Sequence, residues 1–295
     1  MTDLAILSHS RAYYSTRRLF EAAAKVPGLD ARLIDPVRVT IHVDDSGCAL
    51  LEDGEAVAPP DIVIPRIGAT LAEWSLHVLA TLCSSGTRSP VCPDAIRCAG
   101  DKLATQRRLV QHGVATVETM AVREPYHAED VVAALGGAPL VLKLPVGTQG
   151  KTVMSAADAQ GARSTLMALT SLGHTVLVQR RLPVTPARDL RVFLIGGRVR
   201  AACWRYAPPG DFRANIHRGG RAEPAELDDA IVDLAERAAA AVDLPLCGVD
   251  LIETGTPERP LAVMEINASP GLEGIEGATG RDLAAMIIDD ALKAG

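Results

Sequence analysis

Short, wholly apolar runs set off by polar turns dominate the first third of the chain. Leu4-Ala5-Ile6-Leu7, residues 31–34 and Ile62-Val63-Ile64 each suffice for one buried strand. They stop at residues 8–11, at Asp35-Pro36 and at Pro65-Arg66-Ile67-Gly68. Between the first two, Leu19, Phe20 and Ala23 recur at helical spacing, which predicts a helix over about residues 15–25 with Ser15 as N-cap. Strands without a polar face need cover on both sides, so this order predicts a small open parallel sheet. A helix over 72–83 and a strand-like Val91-Cys92 complete the unit, with a boundary near Pro93. The polar segment 39–58 reads as a hairpin insertion pairing residues 40–43 with 49–51, and carries no functional signal.

The pattern then changes to mixed periods. Helices are predicted from Asp101-Lys102 to about His112, over 130–135 and over 158–169. Strands are predicted over 117–122, 139–144 and 175–179, with extended structure at Val153-Met154. This middle unit reads as α+β with antiparallel strands. Further on, residues 189–195 and 198–203 flank Gly196-Gly197, a two-residue hairpin turn. Residues 225–242 form an amphipathic helix with Leu227, Ile231, Leu234, Ala235 and Ala238 on one face, and residues 283–288 a closing helix. The chain thus divides into 1–95, 96–178 and 179–295.

Length and composition allow this. The 295 residues are 48% apolar, enough for a sizeable core. A net charge of −6 argues against a general nucleic-acid binder. No apolar run approaches the ~18 residues of a membrane span. Met1 to Ser8 has no basic n-region, so no signal peptide is expected. The six scattered cysteines read as free thiols in a reducing cytoplasm.

Candidate chemistry begins at the stretch Leu261-Ala262-Val263-Met264-Glu265-Ile266-Asn267-Ala268-Ser269-Pro270-Gly271. Glu265 and Asn267, two apart on a strand, leave the same face. Upstream, Cys247-Gly248-Val249-Asp250-Leu251-Ile252 is a second strand, and a turn over 255–260 would bring Asp250 beside them. Three oxygen donors suit a hard cation such as magnesium; an edge hairpin with solvated acids would show the same pattern. Lys143 ends a buried strand just before Gly147-Thr148-Gln149-Gly150-Lys151, a loop able to approach phosphate oxygens closely, or else a plain flexible turn. It has neither Walker A nor Rossmann spacing. Between 205 and 220 lie Arg205, Asp211, Arg213, Asn215, His217 and Arg218, which suit an anion or an ordinary solvated loop. Together these are the parts of a phosphoryl-transfer site.

The chain resembles the ATP-grasp ligases, and among them the RimK-like α-L-glutamate ligases. The resemblance rests on Asp101-Lys102, Val141-Leu142-Lys143-Leu144, Gly147-Thr148-Gln149-Gly150, Val178-Gln179, Asp189-Leu190-Arg191 and Gly248-Val249-Asp250. It extends to Gly210-Asp211-Phe212-Arg213-Ala214-Asn215-Ile216-His217-Arg218-Gly219-Gly220 and to the run from Met264 through Glu276. Ile6-Leu7-Ser8, Tyr14-Ser15, Arg18-Leu19 and Val63-Ile64-Pro65-Arg66-Ile67-Gly68 carry it into the first unit, so it covers nearly the whole chain.

The resemblance implies an α/β and α+β chain: an ATP-grasp fold of two α+β domains clasping ATP, behind an N-terminal Rossmann-like (pre-ATP-grasp) domain. It implies that a carboxylate attacks the γ-phosphate to give an acylphosphate and ADP, and that an amine, typically of L-glutamate, then forms the amide. The acceptor would be a protein or peptide C-terminus, or a small acid, and the chain a cytoplasmic homo-oligomer. On the same resemblance, Lys102 and Lys143 hold ATP phosphates and residues 179–182, with Gln179, Arg180 and Arg181, form the hinge at adenine. Asp189 lies near the ribose, and Arg213, Ala214 and Asn215 line the nucleotide. Asp250, Glu265 and Asn267 bind two magnesium or manganese ions. Arg218 neutralises the acylphosphate and the oxyanion, which makes Arg218 and Lys143 the catalytic pair. The hinge departs from the family pattern, with Arg180-Arg181 in place of an acidic residue followed by an aromatic or aliphatic one; arginine only donates hydrogen bonds. Arg11, Arg17, Arg18 and Arg66 are candidates for reading acceptor anions, or are ordinary paired arginines. A natural-product ligase and a non-catalytic ATP-binding regulator are the alternatives.

Overall fold

The computed structural model describes residues 1–45, 47–68, 72–147, 152–211 and 219–293. The chain opens with β1 (Thr2–Leu7), α1 (Tyr14–Ala23) and β2 (Leu29–Ile34). An antiparallel three-stranded insertion follows, β3 (Val39–Asp44), β4 (Gly47–Glu52) and β5 (Glu55–Ala56), and then β6 (Ile62–Pro65) and α2 (Ala72–Ser84). Strands β2, β1 and β6 form the parallel sheet that their apolar runs require, with β1 central. Ser15 does not cap α1. Tyr13 occupies that position without a side-chain bond, and the Ser15 hydroxyl accepts from Leu272 N–H at 3.0 Å. A contact distant in sequence claims the local capping group. Val91-Cys92 forms no strand; Pro93 starts α3 (Pro93–Gly100) instead, as proline at the first helical position favours.

Asp101 caps α4 (Lys102–Gln111), accepting from Leu103 and Ala104 N–H at 2.8 and 3.2 Å. Next come β7 (Thr119–Val122), a short 3-10 turn (Pro125–His127), α5 (Ala128–Ala134), β8 (Leu140–Lys143), β9 (Val153–Ala156), α6 (Ala159–Ser171) and β10 (Val176–Arg180). The strands form an antiparallel sheet in the order β7-β10-β8-β9.

The third sheet is β13-β12-β11-β14-β15, built from β11 (Arg188–Ile195), β12 (Arg198–Tyr206), β13 (Arg221–Pro224), β14 (Cys247–Thr256) and β15 (Arg259–Asn267). The β11–β12 turn is the expected hairpin, with φ of +61° and +71° at Gly196 and Gly197, a conformation that glycine adopts freely. Helix α7 (Asp229–Ala241) begins later than its apolar pattern suggested. Asp228 caps it, and Leu227 lies before it, exposed. Helices α8 (Glu273–Thr279) and α9 (Leu283–Lys293) close the chain.

Two cores result. One runs from Leu4 and Ile64 of the parallel sheet through Phe193, Val249 and Ile287 of the last. The other, around Leu140, Leu142, Leu166 and Val178, belongs to the middle sheet alone.

Candidate active site

Cross-strand register assembles the site on one face of the third sheet. Asp189 and Arg191 are two apart on β11 and share a face. Asp189 pairs with Arg205 on β12, Arg191 with Asp250 on β14, and Asp250 with Glu265 on β15. Asn267 lies two further along β15, opposite Gly248. The five charged side chains and Asn267 therefore leave the sheet on the same side. A Cβ at Gly248 would come within 3.0 Å of both Arg191 Cδ and Pro270 Cβ, so glycine is what lets Arg191 lie down over the strand.

The arginines and acids interlock. Arg205 Nε donates to Asp189 Oδ1 at 2.6 Å and its Nη2 to Asp250 Oδ2 at 2.8 Å. Arg191 grips Asp250 from the other side through Nε and, at 2.8 Å, Nη2. Burial alone would raise the Asp250 carboxyl, but the two guanidiniums outweigh it and hold the group below the usual carboxylate range. Burial, opposed by Arg205 and aided by the charge of Asp250, raises Asp189.

Two lysines complete the site from other elements. Lys102, at the start of α4, donates from Nζ to the Gly147 carbonyl at 2.9 Å and lies 3.7 Å from Glu265 Oε1. Lys143 ends β8 and is buried. Desolvation pushes its ammonium down to about 8; Glu265 opposes this shift and Lys102 adds to it. Four cations thus face three carboxylates, an excess of positive charge that suits an anionic ligand.

Asp250, Glu265 and Asn267 offer a hard cation the all-oxygen donor set it prefers, from adjacent strands and one face. The donor chemistry fits magnesium. A cation there would share Asp250 with Arg191 and Arg205, which donate to both its oxygens, and Asn267 Oδ1 with Ser269 N–H at 3.1 Å. Among the described residues no three His, Cys, Asp or Glu side chains cluster as metal ligands by themselves, so the amide of Asn267 is needed.

The hinge residues stand apart from this cluster. Leu140 pairs with Arg180 at one end of β8, and Lys143 lies at the other, roughly 10 Å along the strand. A cavity of ≈ 370 Å³ at the hinge end is lined by Gly136, Gly137, Ala138, Pro139 and residues 180–183. The Gln179 side chain turns into the sheet, donating to Thr119 Oγ1 at 2.8 Å. Arg180 donates from Nη2 to the Leu135 carbonyl at 2.8 Å, and Arg181 N–H to the Pro139 carbonyl at 3.0 Å. The structure therefore brings together Lys102, Lys143, Asp189, Asp250, Glu265 and Asn267, and sets Gln179, Arg180 and Arg181 at the hinge cavity. Arg213, Ala214, Asn215 and Arg218 lie outside the described residues.

In the sequence Arg191 stands out only within the Asp189-Leu190-Arg191 motif, and Arg205 only as the first of the polar residues at 205–220; the structure instead places Arg205 on β12, bonded to Asp189 and Asp250. Their signal was a charged residue at period two within an apolar strand, as in Asp189-Leu190-Arg191 followed by Val192-Phe193-Leu194-Ile195.

The RimK-like ATP-grasp domain matches residues 99–291, and the RimK pre-ATP-grasp domain residues 2–96. The chain belongs to the RimK-like ATP-grasp family, whose members use ATP and magnesium. It is an ADP-forming ligase that makes carbon–nitrogen bonds, which sets aside a non-catalytic regulator. It is similar to a probable alpha-L-glutamate ligase of Stenotrophomonas maltophilia, with 39% identity over 290 residues, 98% of each chain. Among solved structures it shares its fold with the ATP-grasp ligase PsnB complexed with a minimal precursor, at TM-score 0.77 and 21% identity over 99% of this chain and 98% of that one. A RimK domain ATP-grasp protein from Sphaerobacter thermophilus has the same fold, at TM-score 0.76 and 22% identity over 98% of this chain and 99% of that one. These confirm the expected α/β and α+β class with an N-terminal pre-ATP-grasp unit. No helix among the described residues is long and apolar enough to cross a membrane, and the cysteines are free thiols.

Proposed function

We propose that this chain joins L-glutamate, or a similar amino acid, to the C-terminal carboxylate of a protein or peptide through an acylphosphate. The carrying observation is the sheet face where Lys102, Lys143, Arg191 and Arg205 meet Asp250, Glu265 and Asn267. Lys102 and Lys143 hold the ATP phosphates, and their charge steadies the γ-phosphoryl group as the acceptor carboxylate attacks it. Asp250, Glu265 and Asn267 would hold the divalent ions, magnesium or manganese, which would neutralise charge on the phosphates. The hinge at 179–182 borders the adenine, mostly through backbone groups, and Asp189 the ribose. The family resemblance gives Arg218 the acylphosphate, and Arg213, Ala214 and Asn215 the nucleotide. The amine then attacks the acyl carbon, its proton leaves to solvent, and phosphate departs. Three units, 1–95, 96–178 and 179–295, frame this site in a cytoplasmic homo-oligomer.

The test mixes protein, ATP, magnesium, L-glutamate and candidate acceptors, and follows ADP and product mass. ADP formed in step with glutamyl addition supports the proposal. Stoichiometric ADP with a different amine joined, or with a small acid as acceptor, overturns the glutamate-to-protein reading in favour of a small-molecule ligase.

A further inference from the structure

Four arginines of the N-terminal unit were candidates for gripping a substrate anion, and the structure separates them. Arg17 pairs with Glu21, and Arg18 with Glu21, Glu276 and Asp282. Arg11 stacks over the Phe20 ring at 3.9 Å. Arg66 differs from all three. Its Nη2 donates to the Pro270 carbonyl at 2.7 Å, but Nη1 is closed off from water and has no hydrogen-bond partner. Among the described residues no carboxylate pairs with it. Burial lowers its affinity for a proton to about 10 with nothing opposing the shift, so it is charged at neutral pH. A cation with one nitrogen shut off from water and no counter-charge is costly unless an anion joins it.

Its position says where that anion comes from. Arg66 follows β6, at the carboxyl edge of the parallel sheet, the edge where open α/β sheets bind ligands. Its backbone N–H extends the sheet to the Leu7 carbonyl at 2.8 Å. The next residue, Ile67, donates its N–H to Ser269 Oγ at 3.1 Å. Arg66 is thereby fixed to the segment leaving Asn267, three residues beyond it and at most roughly 10 Å of chain away. A Cβ at Gly68 or Gly271 would meet nothing within 4 Å, so space remains on both sides of this junction.

We infer that Arg66 binds a spectator carboxylate of the substrate, one that is not itself phosphorylated, through the bidentate pairing a guanidinium offers. This deepens the proposed ligase function and rests on it for its location. A substrate whose reacting group faces Glu265 and Asn267 extends its second carboxylate to Arg66. That carboxylate belongs either to the incoming amino acid or to the acceptor, and the experiment separates the two.

Wild type, Arg66→Lys and Arg66→Gln are compared in steady state with L-glutamate, L-glutamine and the α-carboxamide of glutamate, and with acceptors bearing a free or an amidated second carboxylate. We expect Arg66→Gln to raise KM for one carboxylate substrate roughly tenfold to a hundredfold, the loss of a charge-assisted pair, with KM for ATP within about twofold. The wild-type preference for carboxylate over carboxamide collapses in the same variant. The substrate that loses the preference identifies the source. Arg66→Lys, which keeps the charge and loses the fork, falls between and serves if Arg66→Gln does not fold. An unchanged preference in the variants, or an equal rise in KM for ATP, overturns the inference. Calorimetric binding of glutarate to the wild type and variants judges Arg66 without turnover. Tighter binding to the wild type supports the assignment even where no acceptor is turned over, which counts against the ligase reading alone. Equal binding, or none, overturns it.

Discussion

Arg205 holds Asp250 through a 2.8 Å hydrogen bond from Nη2 to Oδ2, while its Nε reaches Asp189. The pair is buried, and Arg191 and Asp189 add one further charge of each sign to the same hydrogen-bonded network, so each member depends on the others. Asp250→Asn keeps the shape and removes one charge. We expect turnover to fall on the order of a hundredfold or more and the ligand-free protein to lose about 3 kcal/mol, as when one partner of a buried pair is removed. Denaturant unfolding and steady-state ADP release check both. Unchanged turnover would remove Asp250 from the site.

Lys143 makes the opposite prediction for stability. Burial lowers its ammonium to about 8, against 10.5 when solvated. Between those values the unfolded chain holds more protons than the folded one, so ligand-free stability rises as pH increases through this window. Below about 8 the ammonium is charged in both states and its burial cost is present in full. Lys143→Met therefore melts higher than wild type at pH 7, the gap narrows toward pH 10.5, and ATP affinity is lost. A variant that melts lower than wild type at pH 7 would refute this.

Gly248 tests the packing beneath Arg191. An added Cβ contacts Arg191 Cδ and Pro270 Cβ at 3.0 Å, so both shift by tenths of an ångström. Gly248→Ala is expected to lower kcat on the order of tenfold through misplacement at the reacting centre, with thermal stability changed by about 1 kcal/mol or less. Equal losses in both would mean simple misfolding.

Glu276 gives a stability effect remote from the chemistry. It accepts from Tyr14 Oη at 3.2 Å, Arg18 Nε at 3.1 Å and Ala284 N–H at 3.1 Å, tying α1 to α8 and α9. Glu276→Ala leaves these donors short of a partner and should cost about 2–4 kcal/mol. At low temperature kcat should stay near wild type, as activity per folded molecule measures.

Much of this was legible in the chain. The apolar runs at 4–7, 62–64 and 247–252 marked buried strands, and period two placed Glu265 and Asn267 on one face. Helix α8 was not legible, because Gly274 and Gly277 argue for a loop. Burial of Leu272 and Ile275 and the bonds of Glu276 hold it instead. The bonding of Arg191 and Arg205 was hidden for a different reason. Their partner Asp250 lies 59 and 45 residues away, and only the register of β12, β11 and β14 brings them together. The side chains of Arg180 and Gln179 are likewise directed by distant neighbours, Leu135 and Thr119.

The middle sheet keeps its apolar interior to itself, while the parallel sheet and the last sheet share one. Its collapse therefore need not drag the other two down. Amides around Leu142 and Val178 should exchange with heavy water through an opening that leaves Phe193 and Val249 protected, and nucleotide, by clamping Lys143, should close that opening first.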